Sequence, residues 1–199
     1  DIVIIDMSPS LGAINQNLLT TSDFFLVPLH PDYFSEMGVN SLSKILPKWK
    51  QWAVQANQMG ILQEADYPFP NSDPKYLGAI IQKYRPRGGA PSKAFQGWID
   101  QLETAIEKNL IPALSAAQMM LPLQTYKDHG FLPHQPILQM SDFNSLIARS
   151  QEFQKPVFEL TDKQLKLGGG VLENTKTAMK SFQDLFSVAA EKIISMTKA

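Results

Sequence analysis

The sequence predicts an α/β domain in which a mostly parallel sheet is flanked by helices. Three short apolar runs are typical of strands buried on both faces, as in parallel sheets; they are residues 2–5, 24–29 and 76–81. Between and after these runs, apolar residues recur every three or four positions, which indicates amphipathic helices. The chain has 199 residues, of which 44% are hydrophobic. We therefore expect residues 1–199 to form a single domain with a sizeable core.

Composition excludes several classes of site. The chain has no cysteine, so it has no disulfide, thiolate zinc site or iron–sulfur cluster, and this agrees with an expected location in the reducing cytoplasm. A net charge of −1 is not typical of a dedicated nucleic-acid-binding domain, although a local basic patch is compatible with it. No apolar run approaches the ~18 residues of a membrane-spanning helix, so we expect no transmembrane segment.

A carboxylate follows the first apolar run directly. Asp6 is succeeded by a turn-forming segment, Ser8-Pro9-Ser10-Leu11-Gly12, so it is expected where a strand meets a loop. In open α/β sheets ligands bind at that edge, and Mg²⁺ typically takes one or two carboxylates while keeping several waters. Asp6 is therefore a candidate for a magnesium–nucleotide site. A turn or capping aspartate is the alternative.

The second run leads into a long helix. Residues 12–23 predict a short helix before the run, and Ser35 is the expected N-cap after it. Pro47 is expected to kink or restart the long helix, which continues to about Met59. Trp49 and Trp52 lie three residues apart, so we expect both on one face and in the core.

The rest of the chain continues the alternation of helices, strands and loops. We predict a proline-rich loop at 60–75, a helix over 92–120 interrupted near Pro112, and a loop at 121–135. A strand at 136–140 and a helix over 141–153 with Ser141 as its N-cap are expected to follow. A loop at 161–170 then precedes a C-terminal helix over 171–196, whose apolar stripe should pack against the sheet.

Three segments, in this order, resemble the ParA/MinD family of deviant Walker ATPases. They read DIVIIDMSPSLG, NLLTTSDFFLVPL and YFSEMGVNSL. The resemblance covers residues 1 to about 46 well and the remainder more loosely. It implies a P-loop NTPase fold of the SIMIBI-like type, with ATP and Mg²⁺ as cofactors, in which this chain begins at the Walker B strand.

The resemblance implies a role for each residue on the phosphate side of the nucleotide. Asp6 matches the Walker B carboxylate, which orders Mg²⁺ through water. Ser8 and Pro9 fall in the switch segment that senses the γ-phosphate. The family usually has Pro-Pro where this chain has Ser8-Pro9, so we expect a less rigid switch.

The resemblance also implies which residues lie beside the adenine base, and we call these the base-side residues. Gln82 maps onto the residue beside the adenine, where its amide offers one donating and one accepting group. A polar residue at a strand end is the alternative. Ser141 and Asp142, after Met140, match the region of the family's adenine loop, but the proline of that loop is absent.

A phosphate-binding loop is missing from the chain. No G-x-x-x-x-G-K-[ST] motif occurs, and the glycines at 168–170 lack a following Lys-Ser/Thr. Phosphoryl transfer depends on such positioning, so we do not expect this chain alone to hydrolyse ATP. In the family this loop lies N-terminal to the Walker B strand, so we expect the C-terminal part of a longer ATPase, with unpaired strand edges.

The family's cycle implies partners. These are a nucleotide-dependent homodimer, a ParB-like protein that stimulates hydrolysis, and nonspecific DNA during the partitioning of plasmids or chromosomes. Candidate DNA-binding residues are Lys83, Arg85, Arg87, Lys93, Lys163, Lys166, Lys176 and Lys180. There are two alternatives to this hypothesis. One is a related ATPase that positions a protein or membrane assembly, and the other is a non-catalytic interaction module.

Overall fold

The computed structural model describes residues 2–60, 64, 66, 69–70, 72–87 and 90–198. Seven of the sixteen residues of the predicted loop at 60–75 fall outside these residues. The strands are β1 (Phe24–Leu29), β2 (Lys75–Tyr84), β3 (Pro86–Arg87), β4 (Ala90–Pro91) and β5 (Pro136–Ser141). The α-helices are α1 (Ala13–Thr20), α2 (Tyr33–Gln58), α3 (Lys93–Ala105), α4 (Ile111–Ala116), α5 (Leu123–Asp128), α6 (Ser145–Phe153), α7 (Asp162–Leu165) and α8 (Gly169–Met196).

The main sheet has three parallel strands in the order β1-β2-β5. Phe24 pairs with Lys75 at one end of the β1-β2 ladder, and Leu29 pairs with Ile81 at the other. β3 and β4 form a separate antiparallel pair. The predicted α/β class with a parallel sheet is confirmed, and β1 has the predicted bounds.

Apolar side chains fill both faces of the sheet. On one face, Tyr76 and Ile81 pack with Val39 of α2 and Leu102 of α3. On the other, β2, β5 and α8 form a second cluster that includes Tyr126. A third cluster lies beneath α6, α7 and α8 around Phe182. Helices on both faces bury the sheet, as parallel sheets require.

The prediction of a buried strand at residues 2–5 is wrong. These residues have no regular structure, and Val3 and Ile4 are 83% and 90% exposed. An apolar run becomes a strand only when a neighbouring strand pairs with it. Within the described residues, the sheet ends at β1, and no strand lies alongside residues 2–5.

The start of α2 also differs from the prediction. Asp32, not Ser35, is the N-cap, and its Oδ1 accepts the Ser35 backbone N–H at 2.8 Å. Pro47 lies inside an unbroken helix of 26 residues. Trp49 is buried as predicted, but Trp52 is 40% exposed and packs edge-on against the ring of Phe69.

Later segments contain more helix than predicted. The 121–135 and 161–170 segments include α5 and α7 respectively. Pro112 lies in the first turn of α4, directly after a π-helical turn at Ile106–Leu110 that joins α3 to α4. Such a wider turn accommodates the missing proline N–H.

Ser141 is the last residue of β5 and not a helix N-cap. The chain turns at Asn144, whose φ is 50°, before α6 begins. Among the helices that the structure describes, none is long and apolar enough to cross a membrane.

Candidate functional site

The carboxyl ends of β1, β2 and β5 lie at one edge of the sheet because the three strands are parallel. The residues that end these strands, or directly follow them, are His30, Tyr84 and Ser141. Ligands of open parallel sheets bind at this edge. The predicted base-side residues Gln82, Ser141 and Asp142 lie at this edge.

The structure brings Gln82, Ser141 and Asp142 together. β2 continues past Gln82 to Tyr84, with a register shift between these two residues and a left-handed backbone at Lys83 (φ 61°). This bulge leaves Gln82 opposite Met140 and Tyr84 opposite Ser141. Bulges of this kind redirect side chains and are frequent beside binding sites. The prediction that Gln82 lies at the strand end is therefore wrong, because the strand continues to Tyr84. Contact of Gln82 with a base stays a prediction.

Backbone hydrogen bonds fix the position of Asp142. Its N–H donates to the carbonyl oxygen of Tyr84 at 2.9 Å, which extends the β2-β5 ladder by one bond. Its Oδ1 accepts the backbone N–H of Asn144 at 3.1 Å. The half-buried carboxylate is thus held in a turn at the sheet edge. Asn144, which sequence reasoning did not identify, closes this turn.

Asp6 lies on the irregular segment before α1. Its side chain is exposed and makes no hydrogen bond or ion pair with any residue that the structure describes. A carboxylate of this kind fits a Mg²⁺ ion that keeps most of its water shell. In the described part of the chain, no group of three or more His, Cys, Asp or Glu side chains is placed to hold a metal. Asp6 therefore fits a water-mediated contact and not an all-protein cage.

Ser8 and Pro9 form a tight turn two residues after Asp6. The Ser10 N–H donates to the Ser8 carbonyl at 2.8 Å, which closes the turn around Pro9. Asn15 of α1 reaches back to this turn. Sequence reasoning missed Asn15, because a polar residue in a short helix is not by itself a sign of burial.

The predicted site residues form two groups. Asp6, Ser8 and Pro9 precede α1, whereas Gln82, Ser141 and Asp142 end β2 and β5. Over the described ranges, no side-chain hydrogen bond or ion pair connects the first group with the second. The structure thus assembles the base-side group and leaves the phosphate-side group separate.

His30 is a further polar residue at this edge that the sequence did not indicate as functional. Its Nδ1 lies 3.2 Å from Oδ2 of Asp32 without forming a directed hydrogen bond. Its ring packs edge-on against Phe95, and its backbone N–H donates to Ser35 Oγ at 3.0 Å. These contacts join the end of β1 to the first turn of α2.

The candidate DNA-binding residues differ in their ion pairing. Lys176 lies 2.8 Å from Asp162, Lys180 lies 2.9 Å from Asp184, and Lys166 lies 4.0 Å from Glu152. The hydrogen bond that Lys176 donates to the Asp162 carboxylate raises the pKa of Lys176. Among these candidates, four are exposed and have no acidic partner in the described part of the chain: Lys83, Arg85, Lys93 and Lys163. Arg87 lies on β3, opposite Ala90.

Comparisons with known proteins support the family resemblance of the first part of the chain. Residues 1–59 match the family model described as AAA domain, which indicates similarity to ParA/MinD-like P-loop ATPases and so to proteins that use a nucleotide and usually Mg²⁺. Uncharacterized protein MJECL24 of Methanocaldococcus jannaschii is 30% identical over 96 residues, which is 48% of this chain and 31% of that protein. The match thus spans less than a third of that relative's length. No solved structure matches the chain significantly.

Proposed function

We propose that the intact protein is a ParA-like partitioning ATPase to which this chain contributes the Walker B segment and the base-side edge of the sheet. The observation that carries the proposal is the order of three family-like segments within residues 1–46, together with the family-model match over residues 1–59. The gathering of polar groups where parallel strands end supports a nucleotide as the ligand.

The proposal gives each group of residues a task. Asp6 orders the water shell of Mg²⁺, and the turn at Ser8 and Pro9 lies beside the terminal phosphate. The amide of Gln82 and the edge formed by Ser141 and Asp142 contact the base. These residues supply no cradle of N–H groups for the phosphates, and no phosphate-loop motif occurs in the 199 residues. We therefore assign ATP hydrolysis to the intact protein and not to this chain alone.

The finer parts of the proposal concern partners. We propose nucleotide-dependent homodimerisation, stimulation by a ParB-like protein, and nonspecific DNA binding in a cytoplasmic partition system. The exposed cations at Lys83, Arg85 and Lys163, free of acidic partners in the described residues, support the DNA contact. Each phosphate contact would make the affinity for DNA fall as salt rises.

A related ATPase that positions a protein or membrane assembly is the second candidate. The ion pairs of Lys166, Lys176 and Lys180 favour it, because paired lysines offer less free positive charge to phosphates. Sedimentation of the nucleotide-bound protein with plasmid DNA separates the two. Salt-sensitive co-sedimentation supports partitioning, whereas its absence favours the second candidate.

Nucleotide binding is the first experiment. The longest natural form of the protein is titrated with ATP in the presence and absence of Mg²⁺ by calorimetry. We expect Asp6→Ala to weaken the Mg²⁺-dependent binding at least about tenfold, because a charge-assisted contact is worth about 1.5–3 kcal/mol. Asp23→Ala is the matched control, since Asp23 is another exposed carboxylate but precedes β1, at the opposite edge of the sheet.

The outcomes separate the proposals. Binding that requires Mg²⁺, is weakened by Asp6→Ala and is unchanged by Asp23→Ala supports the ATPase. If the intact wild-type protein binds no nucleotide, the proposal fails and a non-catalytic interaction module takes its place.

A further inference from the structure

Asn15 is a buried polar side chain that points out of its own helix. It is 3% exposed, and in the described part of the chain the other buried polar side chain is that of Thr20. Thr20 bonds to carbonyls of α1 itself. The side-chain amide of Asn15 instead forms hydrogen bonds with the loop that precedes α1.

The side-chain amide of Asn15 donates two hydrogen bonds to the loop. Its Nδ2 donates to the carbonyl oxygens of Ser8 and Ser10, at 2.5 and 2.7 Å. Its Oδ1 lies 3.4 Å from Ser8 Oγ, which donates to it weakly. An amide with two donating hydrogens and an accepting oxygen matches this arrangement. Aspartate at this position would instead place a negative oxygen against two carbonyl oxygens.

These two hydrogen bonds determine the conformation of the loop. The Ser8 carbonyl accepts both the Ser10 N–H and the Asn15 amide, so the turn around Pro9 is tied to α1. Residues 2–8 have no regular secondary structure of their own. α1 is anchored in turn by Leu19, which is 4% exposed in the main core cluster. Asn15 thus connects the loop after Asp6 to the folded body of the protein.

We propose that Asn15 is a positioning residue for the loop that carries Ser8 and Pro9. This inference rests on the proposed function, in which that loop lies beside the terminal phosphate. By holding the carbonyls of Ser8 and Ser10, Asn15 keeps the loop in one conformation before nucleotide arrives. Because the loop is already ordered, ATP binding does not have to offset the conformational entropy lost on ordering it, and this favours ATP over ADP.

The test uses the longest natural form of the protein and two variants, Asn15→Asp and Asn15→Ala. Calorimetry gives the affinities for Mg²⁺·ADP and for a non-hydrolysable Mg²⁺·ATP analogue. We expect each variant to lose about tenfold in its preference for the ATP analogue, the equivalent of one to two lost hydrogen bonds, while its affinity for ADP stays within about twofold. Asn174→Asp is the matched control, because Asn174 is exposed on α8 far along the chain.

Hydrogen exchange of the nucleotide-free protein provides an independent measurement. In both variants we expect faster exchange at the amide of Ser10, whose N–H closes the turn, and unchanged exchange in the buried part of α3. This readout does not require nucleotide binding, so it also judges a variant whose affinity cannot be measured.

The outcomes are separable from those of the proposed function. Unchanged exchange at Ser10, or equal losses of ADP and ATP-analogue affinity, would overturn the positioning role. If the wild-type protein binds neither nucleotide, the proposed function and the selectivity role both fail. The exchange data then decide alone whether Asn15 holds the loop.

Discussion

Asp73 is a single residue that ties three parts of the chain together. Its two carboxylate oxygens contact Lys50 of α2 and Lys75 of β2, the latter at 2.5 Å. Both ammonium groups also donate to the carbonyl of Gln118, at 3.3 and 2.6 Å. The network therefore joins α2, the start of β2 and the turn after α4, at the edge opposite the candidate site.

We expect Asp73→Asn to lower the free energy of unfolding by about 0.5–1 kcal/mol, the usual range for a half-exposed ion pair. Burial alone would raise the pKa of Asp73, but the hydrogen bonds and charges of Lys50 and Lys75 outweigh it and hold the pKa below its usual value. The folded-state pKa is therefore lower than the unfolded one. The stabilisation is present above about pH 4 and is lost as the pH falls through the folded-state pKa.

Urea denaturation at pH 7 and again near pH 3 measures this effect. The difference between wild type and Asp73→Asn should shrink at the lower pH, because the stabilisation decreases as the pH falls below the unfolded-state pKa toward the folded-state pKa. Asp23→Asn is the control, because Asp23 has no side-chain partner among the described residues. A difference that stays constant between the two pH values would show that the charge of Asp73 is not responsible.

At the scale of elements, Tyr126 fastens α5 to the sheet. Its hydroxyl donates to the carbonyl oxygen of Tyr76 in β2 at 2.5 Å and accepts the Leu121 N–H at 3.3 Å. Tyr126 is fully buried, and its ring packs edge-on against Phe131. The helix that the sequence did not predict is therefore held by a hydrogen bond across 50 residues of chain.

We expect Tyr126→Phe to lower the free energy of unfolding by about 1–2 kcal/mol, because it removes both hydrogen bonds and leaves buried groups without this partner. Burial raises the pKa of Tyr126 to about 12. Since the folded-state pKa exceeds the unfolded one, the stabilisation is complete below about pH 10 and is lost as the pH rises toward 12.

Thermal or urea denaturation measures the change. Tyr33→Phe is the control, because Tyr33 is 56% exposed and should tolerate loss of its hydroxyl. Equal stability of Tyr126→Phe and wild type would mean that the hydroxyl contributes nothing to holding α5.

The elements also show how far sequence reasoning reaches. β1 and β5 were predictable to within a residue, because turn-forming residues bound both runs. β2 is longer than its apolar run, since Gln82 and Tyr84 still pair with β5. Such pairing between strands cannot be recognised from composition. The family resemblance grouped Gln82, Ser141 and Asp142 beside the base, and the parallel pairing of β2 with β5 brings them to the same edge of the sheet.

Other features depend on contacts that local pattern does not contain. Residues 2–5 have the same apolar character as β1, but only β1 has a neighbouring strand in the described structure. The role of Asn15 depends on carbonyls five and seven residues away, whose positions are set by the turn at Pro9. Ser35 does not have the expected capping role because α2 begins three residues earlier, where Asp32 accepts the backbone N–H of Ser35.

At the scale of the whole molecule, three surfaces of the described chain lack a strand partner or apolar cover. The outer edges of β1 and β5 have no paired strand among the described residues. Residues 2–5 expose four apolar side chains, with Val3 at 83% and Ile4 at 90%. Open strand edges and exposed apolar runs both promote association between chains.

We therefore expect the 199-residue chain to self-associate, and Ile4→Lys to reduce this association, because a charge at the apolar run opposes contact between copies. Ile4 is 90% exposed, so the free energy of unfolding should change by no more than about 0.5 kcal/mol. Sedimentation velocity over a range of concentrations, with urea denaturation alongside, measures both effects. Val188→Lys, at a position 52% exposed on α8, should leave association unchanged. A loss of several kcal/mol in Ile4→Lys would show that residues 2–5 are buried in solution, and equal association in both variants would assign it to another surface.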